Sequence, residues 1–195
     1  MRSSQTEAFE KSQLRRLLIN RRSSISPEEK AALDAALCQE LMLISHKSDV
    51  WLLFYPIKNE PDLLAFAEHL LSVGKQVAFP ISLTDNCQLD FRLVDSLSQM
   101  TAGAYGIPEP PEYCRKVEDF DGAMCIVPAL SYDTRGFRIG YGKGYYDRFL
   151  SKHKPMTVGI CYGSLICDRL PTDPTDIPVD MIITESGVTV PNPAK

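Results

Sequence analysis

An unbroken apolar run, Val50-Trp51-Leu52-Leu53-Phe54, gives the strongest indication of the architecture of this chain. The run has the length of a strand. A strand without polar alternation is typical of a parallel sheet that is covered on both faces. We therefore expect a strand over residues 49–55, with Trp51 in the hydrophobic core.

The segments around this run alternate between strand and helix patterns. Ser26-Pro27-Glu28-Glu29 predicts a helix start, with serine at the N-cap, proline at the first position and glutamate at the third. We expect helices at about 6–22, 27–43, 61–73 and 143–150, and further strands at 76–81, 89–94, 123–127, 156–161 and 181–184. This alternation predicts an α/β fold, a three-layer sandwich with a largely parallel central sheet flanked by helices, in one domain spanning residues 1–195.

Composition limits the possible functions. The net charge of −4 disfavours general nucleic-acid binding, which requires a basic surface. No apolar run is long enough to cross a membrane, and residues 1–22 lack the apolar stretch of a signal peptide. Nothing in the sequence requires an oligomer. We expect a cytoplasmic monomer that acts on small molecules, without a nucleic-acid or membrane partner.

The six cysteines do not form a recognisable site. They contain no C-x-x-C pair, and no histidine lies near them at zinc-like spacing. None of the three histidines forms a recognisable catalytic partnership with a cysteine. We expect reduced, mostly buried thiols at all six positions: Cys38, Cys87, Cys114, Cys125, Cys161 and Cys167.

Ligands of parallel α/β sheets usually bind beyond the carboxyl ends of strands, here after residues 54, 79, 127 and 160. The most informative connection is residues 135–148, which we expect to follow a strand and to open a helix. Gly140, Gly142 and Gly144 alternate there, which allows tight bends and close approach of a ligand to the backbone. N–H groups at the start of a helix suit a phosphate group.

Charged side chains strengthen the phosphate interpretation of this connection. Arg138 and Lys143 add two positive charges, and Asp147 adds one carboxylate that suits a magnesium ion bridging phosphates. A flexible turn with a solvated basic cluster is the alternative, but it leaves the combination of glycines, cations and carboxylate unexplained. The glycine spacing is neither that of a Walker loop nor that of a dinucleotide fingerprint.

Residues 138–147 resemble the R-x-G-x-G-x-G-Y-Y-D signature of the 5-formyltetrahydrofolate cyclo-ligases, also called methenyltetrahydrofolate synthetases. The likeness covers most of the chain. Lys11-Ser12-Gln13-Leu14-Arg15 is similar to the K-x-x-L-R element of that family, and residues 55–60, 106–110 and 176–180 also fit its pattern. Many bacterial members have glycine where this chain has Lys143, so a supporting role is expected for this lysine.

The resemblance implies an ATP- and Mg²⁺-dependent ligase that cyclises 5-formyltetrahydrofolate to 5,10-methenyltetrahydrofolate and yields ADP and phosphate. It implies that Arg138, Lys143 and Asp147 are catalytic, and that Asp147 and Asp176 bind Mg²⁺. The implied ATP-binding residues are Lys11, Arg15, Arg138, Gly140, Gly142, Lys143, Gly144, Tyr145 and Tyr146. The implied substrate-binding residues are Tyr55, Glu60, Glu109, Tyr141, Lys143 and Tyr145.

Each of these assignments has a structural alternative. Lys11 and Arg15, four residues apart on a helix, also fit a solvated basic face. Glu60 also fits a residue that stabilises the start of the next helix through its dipole. Residues 105–110 also fit a rigid proline-rich turn, and Asp176 also fits a turn aspartate. We expect the remaining cations of the first helix, Arg16, Arg21 and Arg22, to be surface charge.

Two other functions remain open at this point. A different ATP-dependent enzyme, such as a small-molecule kinase, would form ADP without consuming 5-formyltetrahydrofolate. A non-catalytic effector-binding domain would bind ligand without turnover, although such a domain has little need of Arg138, Asp147 and Glu60 together.

Overall fold

The computed structural model describes residues 4–192, with side chains from residue 9 onward. Its α-helices are α1 (Ser4–Ser23), α2 (Pro27–Leu43), α3 (Leu64–Ser72) and α4 (Tyr145–Lys152). The expected start of α2 is confirmed, because the Ser26 hydroxyl accepts a hydrogen bond of 3.1 Å from the Glu29 N–H. Over this described range, no helix has both the length and the apolar character that a membrane crossing requires.

The strands form one large sheet and two small ones. The strands are β1 (Val50–Leu52), β2 (Gln76–Leu83), β3 (Gln88–Val94), β4 (Thr101–Ala102), β5 (Pro108–Glu109), β6 (Met124–Pro128), β7 (Ser131–Tyr132), β8 (Arg138–Ile139), β9 (Met156–Ile160), β10 (Met181–Thr184) and β11 (Gly187–Thr189). Within residues 4–192, seven strands form the central sheet in the order β11-β10-β9-β6-β1-β2-β3. The five inner strands are parallel, and β3 and β11 are antiparallel edges, so the largely parallel sheet is confirmed.

Helices cover both faces of this sheet. The register places Trp51 of β1 and Val94 of β3 on the same face, through their common partner in β2. Phe91 lies three residues before Val94 and therefore faces the other side. Trp51 packs edge-on against Phe66 of α3 at 5.1 Å, whereas Phe91 packs against Phe149 of α4 at 4.9 Å. Helices α3 and α4 thus lie on opposite faces, and the expected three-layer arrangement is confirmed.

Two expectations about the connections are wrong. Strand β2 continues through Pro80 to Leu83 and turns back into antiparallel β3, so the expected ligand loop after Phe79 does not exist. The glycine-rich segment, residues 135–148, does not directly follow β6, because the β7–β8 hairpin intervenes. Residues 135–139 therefore belong to this hairpin, and only residues 140–144 form the loop that leads into α4.

A buried carboxylate organises the β7–β8 hairpin. Asp133 is fully buried and accepts hydrogen bonds from the backbone N–H groups of Arg135, Phe137 and Leu170. Its Oδ2 atom also pairs with the Arg135 guanidinium at 2.7 Å. Gly136, at φ +89°, completes the turn, where a Cβ atom would lie 2.8 Å from a backbone carbonyl oxygen. The hairpin that carries Arg138 is thereby held in one conformation.

We predict that Asp133→Asn lowers the free energy of unfolding by about 3–5 kcal/mol, because Arg135 would remain buried without its counter-charge. Urea denaturation measures the change. The matched control is Asp49→Asn, since the Asp49 side chain is 90% exposed in its ion pair with Lys75. The control should cost less than about 1 kcal/mol. Equal losses in the two variants would contradict the role assigned to Asp133.

Candidate active site

Arg138 and Asp147 form an ion pair at the end of the hairpin. The Arg138 Nη2 atom donates to Asp147 Oδ1 at 2.7 Å, and Nη1 donates to the Ile177 carbonyl oxygen at 2.8 Å. The Ile177 N–H donates to the same Asp147 oxygen at 3.3 Å. Because Ile177 directly follows Asp176, the structure brings the two aspartates of the predicted metal site into one region, beside the predicted phosphate-binding arginine.

Lys11 of α1 is paired with the second predicted metal ligand. Its Nζ atom lies 2.6 Å from Asp176 Oδ2 and 2.5 Å from Asp173 Oδ2, and the Asp173 N–H donates to Asp176 at 2.8 Å. Burial by itself lowers the pKa of Lys11, but the hydrogen bonds and charges of the two aspartates outweigh it and raise the pKa. The sequence did not predict a site role for Asp173, because no local motif distinguishes it from other acidic residues in turns.

Arg15 brings α1 against the glycine-rich loop. Its Nε atom donates to the Gly140 carbonyl oxygen at 2.9 Å, and its guanidinium lies against Gly142, at φ +92°. A Cβ atom on Gly142 would lie 3.3 Å from the guanidinium carbon. Lys11 and Arg15 therefore face the predicted phosphate site and are not a solvated basic face, although their contact with ATP stays a prediction.

The donor set fits a magnesium ion that is shared with phosphates. Among residues 4–192, no group of three or more acidic, histidine or cysteine side chains forms a complete metal cage. Mg²⁺ is usually held by one or two carboxylates together with substrate phosphate oxygens and water. Asp147 and Asp176 supply that number of carboxylates, and each is paired with a cation, Arg138 and Lys11 respectively.

Arg22 is buried, although the sequence predicted a surface position. Only 2% of the residue is exposed. Its guanidinium donates to the carbonyl oxygens of Lys58, at 3.1 Å, and Ala129, at 3.3 Å, and to the Tyr141 hydroxyl. The helical spacing could have shown this, because residue 22 lies on the same stripe as residues 11, 15 and 18.

The Glu60 carboxylate lies in the tight turn that follows β1. The Ile57 N–H donates to Glu60 Oε2 at 3.0 Å, and the Glu60 N–H donates to the Ile57 carbonyl oxygen at 2.8 Å. Lys58 and Asn59 between them both have positive φ values, +47° and +59°. Left-handed backbone costs non-glycine residues about 1–2 kcal/mol each, so other contacts must stabilise this turn. Burial raises the pKa of Glu60 to about 7, although the charges of Arg22 and Lys58 oppose the increase.

The tyrosines of the glycine-rich segment occupy different environments. The Tyr145 hydroxyl is 3.1 Å from that of exposed Tyr105. The Tyr146 hydroxyl is buried and has no hydrogen-bond partner among the described residues. Burial raises the pKa of Tyr146, and the nearby Glu60 carboxylate raises it further. An unpaired buried hydroxyl is costly. The contact of Tyr146 with ATP stays a prediction.

The other predicted site residues lie at different positions around this region. Tyr55 is half-buried and packs against Phe79 at 6.4 Å, and Lys143 is exposed. Glu109 is buried, and its two carboxylate oxygens accept from the N–H groups of Ser82, at 2.9 Å, and Ala104, at 3.2 Å. These bonds support the turn interpretation of residues 105–110, and a substrate contact by Glu109 stays a prediction.

The cysteines show no sign of nucleophilic chemistry. The described thiols are free, with Cys38, Cys114, Cys125 and Cys161 buried, which confirms the expectation of reduced and mostly buried side chains. Burial raises the pKa of both Cys125 and Cys161 to about 12, so these two thiols are protonated near neutral pH.

A family model and curated relatives indicate one family. The model of the 5-formyltetrahydrofolate cyclo-ligase family matches residues 7–185. A 5-formyltetrahydrofolate cyclo-ligase from Mycoplasma genitalium is 30% identical over 179 residues, which cover 89% of this chain and 97% of the relative. A 5-formyltetrahydrofolate cyclo-ligase from Mycolicibacterium smegmatis is 28% identical over 181 residues, which cover 89% of this chain and 93% of the relative.

Solved structures give the same result. The NMR structure of 5,10-methenyltetrahydrofolate synthetase from Aquifex aeolicus matches with a TM-score of 0.81 and 34% identity, over 92% of each chain. The corresponding synthetase from Mycoplasma pneumoniae matches with a TM-score of 0.72 and 25% identity, over 90% of this chain and 98% of that one.

The raised pKa of Glu60 makes stability depend on pH. Since the folded carboxyl holds its proton up to about pH 7 but the unfolded carboxyl only to about its ordinary 4.5, this group stabilises the fold at low pH, and the contribution is lost as pH rises between these values. We predict that the free energy of unfolding of Glu60→Gln, relative to the unsubstituted protein, increases by about 3 kcal/mol from pH 4.5 to pH 8.

Urea denaturation at several pH values measures this difference. The control is Glu68→Gln, because Glu68 lies exposed on α3. The control difference should stay constant over the same pH range. A constant difference for Glu60→Gln as well would show that folding leaves the Glu60 pKa unchanged.

Proposed function

Because the chain belongs to the 5-formyltetrahydrofolate cyclo-ligase family, a family of ligases, we propose that it converts 5-formyltetrahydrofolate and ATP into 5,10-methenyltetrahydrofolate, ADP and phosphate, with Mg²⁺ as the metal. The supporting observation is that Lys11, Arg15, Arg138, Asp147 and Asp176 meet around the glycine-rich segment. Three cations in one region with the carboxylates of Asp147 and Asp176 suit a magnesium nucleotide better than a neutral ligand.

In the proposed reaction, the γ-phosphoryl group of ATP is transferred to the formyl oxygen of the substrate. The N10 nitrogen attacks the activated formyl carbon and loses its proton, and the C–O bond breaks so that phosphate leaves with the former formyl oxygen. Phosphoryl transfer depends on positioning and charge neutralisation more than on a protein acid or base. The absence of histidine from every candidate motif is consistent with this requirement.

The phosphate groups are assigned to the cations and to the glycine-rich segment. Lys11, Arg15 and Arg138 neutralise phosphate charge, with Lys143 in support, and the backbone of Gly140, Gly142 and Gly144 approaches the nucleotide closely together with Tyr145 and Tyr146. Asp147 and Asp176 would hold Mg²⁺, which would supply charge neutralisation and alignment of the γ-phosphate. Lys11 and Arg138 would then exchange their present carboxylate partners for phosphate oxygens.

The folate is assigned to the neighbouring pocket. Glu60 accepts hydrogen bonds from the ring nitrogens of the substrate, which requires the carboxylate form. Tyr55, Tyr141 and Tyr145 line the same pocket. Lys143 and Glu109 are further contacts.

Four other expectations stay predictions from the sequence: the cytoplasmic location, the monomeric state, the single domain and the lack of nucleic-acid or membrane partners.

The test follows the near-ultraviolet absorbance band of the methenyl product. We expect the band to grow only when protein, 5-formyltetrahydrofolate, ATP and Mg²⁺ are all present. Asp147→Asn should lower kcat by about 100-fold or more, because one carboxylate of the metal site is lost. The control, Asp168→Asn, changes an exposed aspartate and should retain activity. A flat trace from folded, ATP-binding protein would refute the proposed function.

A second experiment tests the assignment of Lys11 to the phosphates. We predict that Lys11→Gln raises the KM for ATP by about tenfold, as expected for the loss of one charge-assisted hydrogen bond, and leaves the KM for the folate nearly unchanged. Arg16→Gln, on the exposed side of α1, is the matched control. An unchanged KM for ATP in Lys11→Gln would mean that this lysine only pairs with Asp173 and Asp176.

A further inference from the structure

We propose that Arg22 is a positioning residue of the folate site, which holds the Glu60 turn and Tyr141 of the glycine-rich segment in one arrangement. The inference rests on the proposed function for the identity of the substrate. It starts from a guanidinium that is buried at 2% residue exposure and donates to three separate segments of the chain. A buried charge is retained at a cost, so its partners indicate what it does.

The first partner is the turn that carries Glu60. Arg22 donates to the Lys58 carbonyl oxygen at 3.1 Å, within the pair of left-handed residues Lys58 and Asn59. This unfavourable left-handed backbone conformation places Glu60 so that its carboxylate accepts a hydrogen bond from the Ile57 N–H. By bonding to the turn from another element, Arg22 fixes the direction of the carboxylate that receives the folate ring.

The second partner is Tyr141, which stands between two glycines of the loop. Its hydroxyl accepts a hydrogen bond from Arg22. The Arg22 guanidinium carbon is 5.7 Å from the centre of the Tyr141 ring, and the Lys58 Nζ atom is 5.1 Å from it. Both cations lie within the distance of a cation–π interaction with the ring, and these contacts hold Tyr141 beside the Glu60 turn. The two parts of the folate site are therefore connected through one guanidinium.

Arginine suits this position because its planar head carries five N–H donors that point in different directions. Those donors reach the Lys58 and Ala129 carbonyl oxygens and the Tyr141 hydroxyl at the same time. A lysine ammonium at the same site keeps the charge but cannot reproduce the three directions. Arg22→Lys therefore separates the effect of charge from that of geometry.

The charge of Arg22 also acts on Glu60. The groups that face this carboxylate are Arg22 from α1, Lys58 from the same turn, Tyr141 from the glycine-rich segment and Tyr146 from α4. The two cations favour the carboxylate, while burial opposes it. Removing Arg22 therefore raises the pKa of Glu60 further, and a larger fraction of the protein carries a protonated Glu60 at a given pH.

The experiment compares Arg22→Met and Arg22→Lys with Arg21→Met, which changes the adjacent exposed arginine. Arg22→Met should raise the KM for 5-formyltetrahydrofolate by about tenfold or more and leave the KM for ATP within about twofold. The acid limb of kcat/KM for the folate should move to higher pH by about 1 pH unit. Arg22→Lys should keep the pH profile but retain much of the KM defect, and Arg21→Met should match the unsubstituted protein.

A purely structural role predicts a different result. The KM values for folate and ATP would then rise together, or kcat would fall alone, with the acid limb unmoved, and either result would overturn the proposal. Circular dichroism checks that each variant is folded. If Arg22→Met is unfolded, the comparison of Arg22→Lys with Arg21→Met still tests the positioning role.

Calorimetric titration with 5-formyltetrahydrofolate alone measures folate binding independently of turnover. Loss of folate affinity in the Arg22 variants would support the positioning role even if the unsubstituted protein proved inactive.

Discussion

The structure of the site depends on one face of α1. Lys11, Arg15 and Arg22 lie on the same helical stripe as buried Leu18 and partly buried Leu14, so the apolar residues that pack this helix on the core also orient the three cations. Lys11 contacts the turn around Asp176, Arg15 contacts the glycine-rich loop, and Arg22 contacts the loops that follow β1 and β6 as well as Tyr141 of the glycine-rich loop. Polar connections from α1 thus fix irregular segments that lack ladder hydrogen bonds of their own.

The fold was largely predictable because its main elements carry strong local patterns. The continuous apolar run at residues 50–54 and the capping sequence at Ser26 indicated a parallel sheet and a helix start, and both predictions were confirmed. The β7–β8 hairpin was missed because its strands are two residues long, too short to show a period. Its conformation depends on Asp133 and Leu170, 37 residues apart, and such a contact leaves no local signal in one sequence.

The site was predictable where a motif holds its residues close in sequence. The resemblance named Arg138 and Asp147, nine residues apart, and the structure pairs them. It could not show that the Glu109 carboxylate is engaged by backbone N–H groups, since these come from other segments. Arg22 was misassigned for a related reason. A guanidinium is buried only where carbonyl oxygens receive it, and these oxygens belong to residues 36 and 107 positions away.

The ion pairs of the site bear on how the proposed magnesium nucleotide would bind. Asp147 is paired with Arg138, and Asp176 and Asp173 are both paired with Lys11, so the site holds both signs of charge in mutual contact. A nucleotide that bound without the metal would draw the cations to its phosphates and leave the two aspartates unpaired. A metal that bound without the nucleotide would leave the two cations unpaired. Each event alone carries the cost of an uncompensated, partly buried charge, whereas joint binding compensates Lys11, Arg138, Asp147 and Asp176 and leaves only the more exposed Asp173 to solvent. If the proposed ATP and Mg²⁺ are the ligands, these ion pairs favour their joint binding over the binding of either one alone.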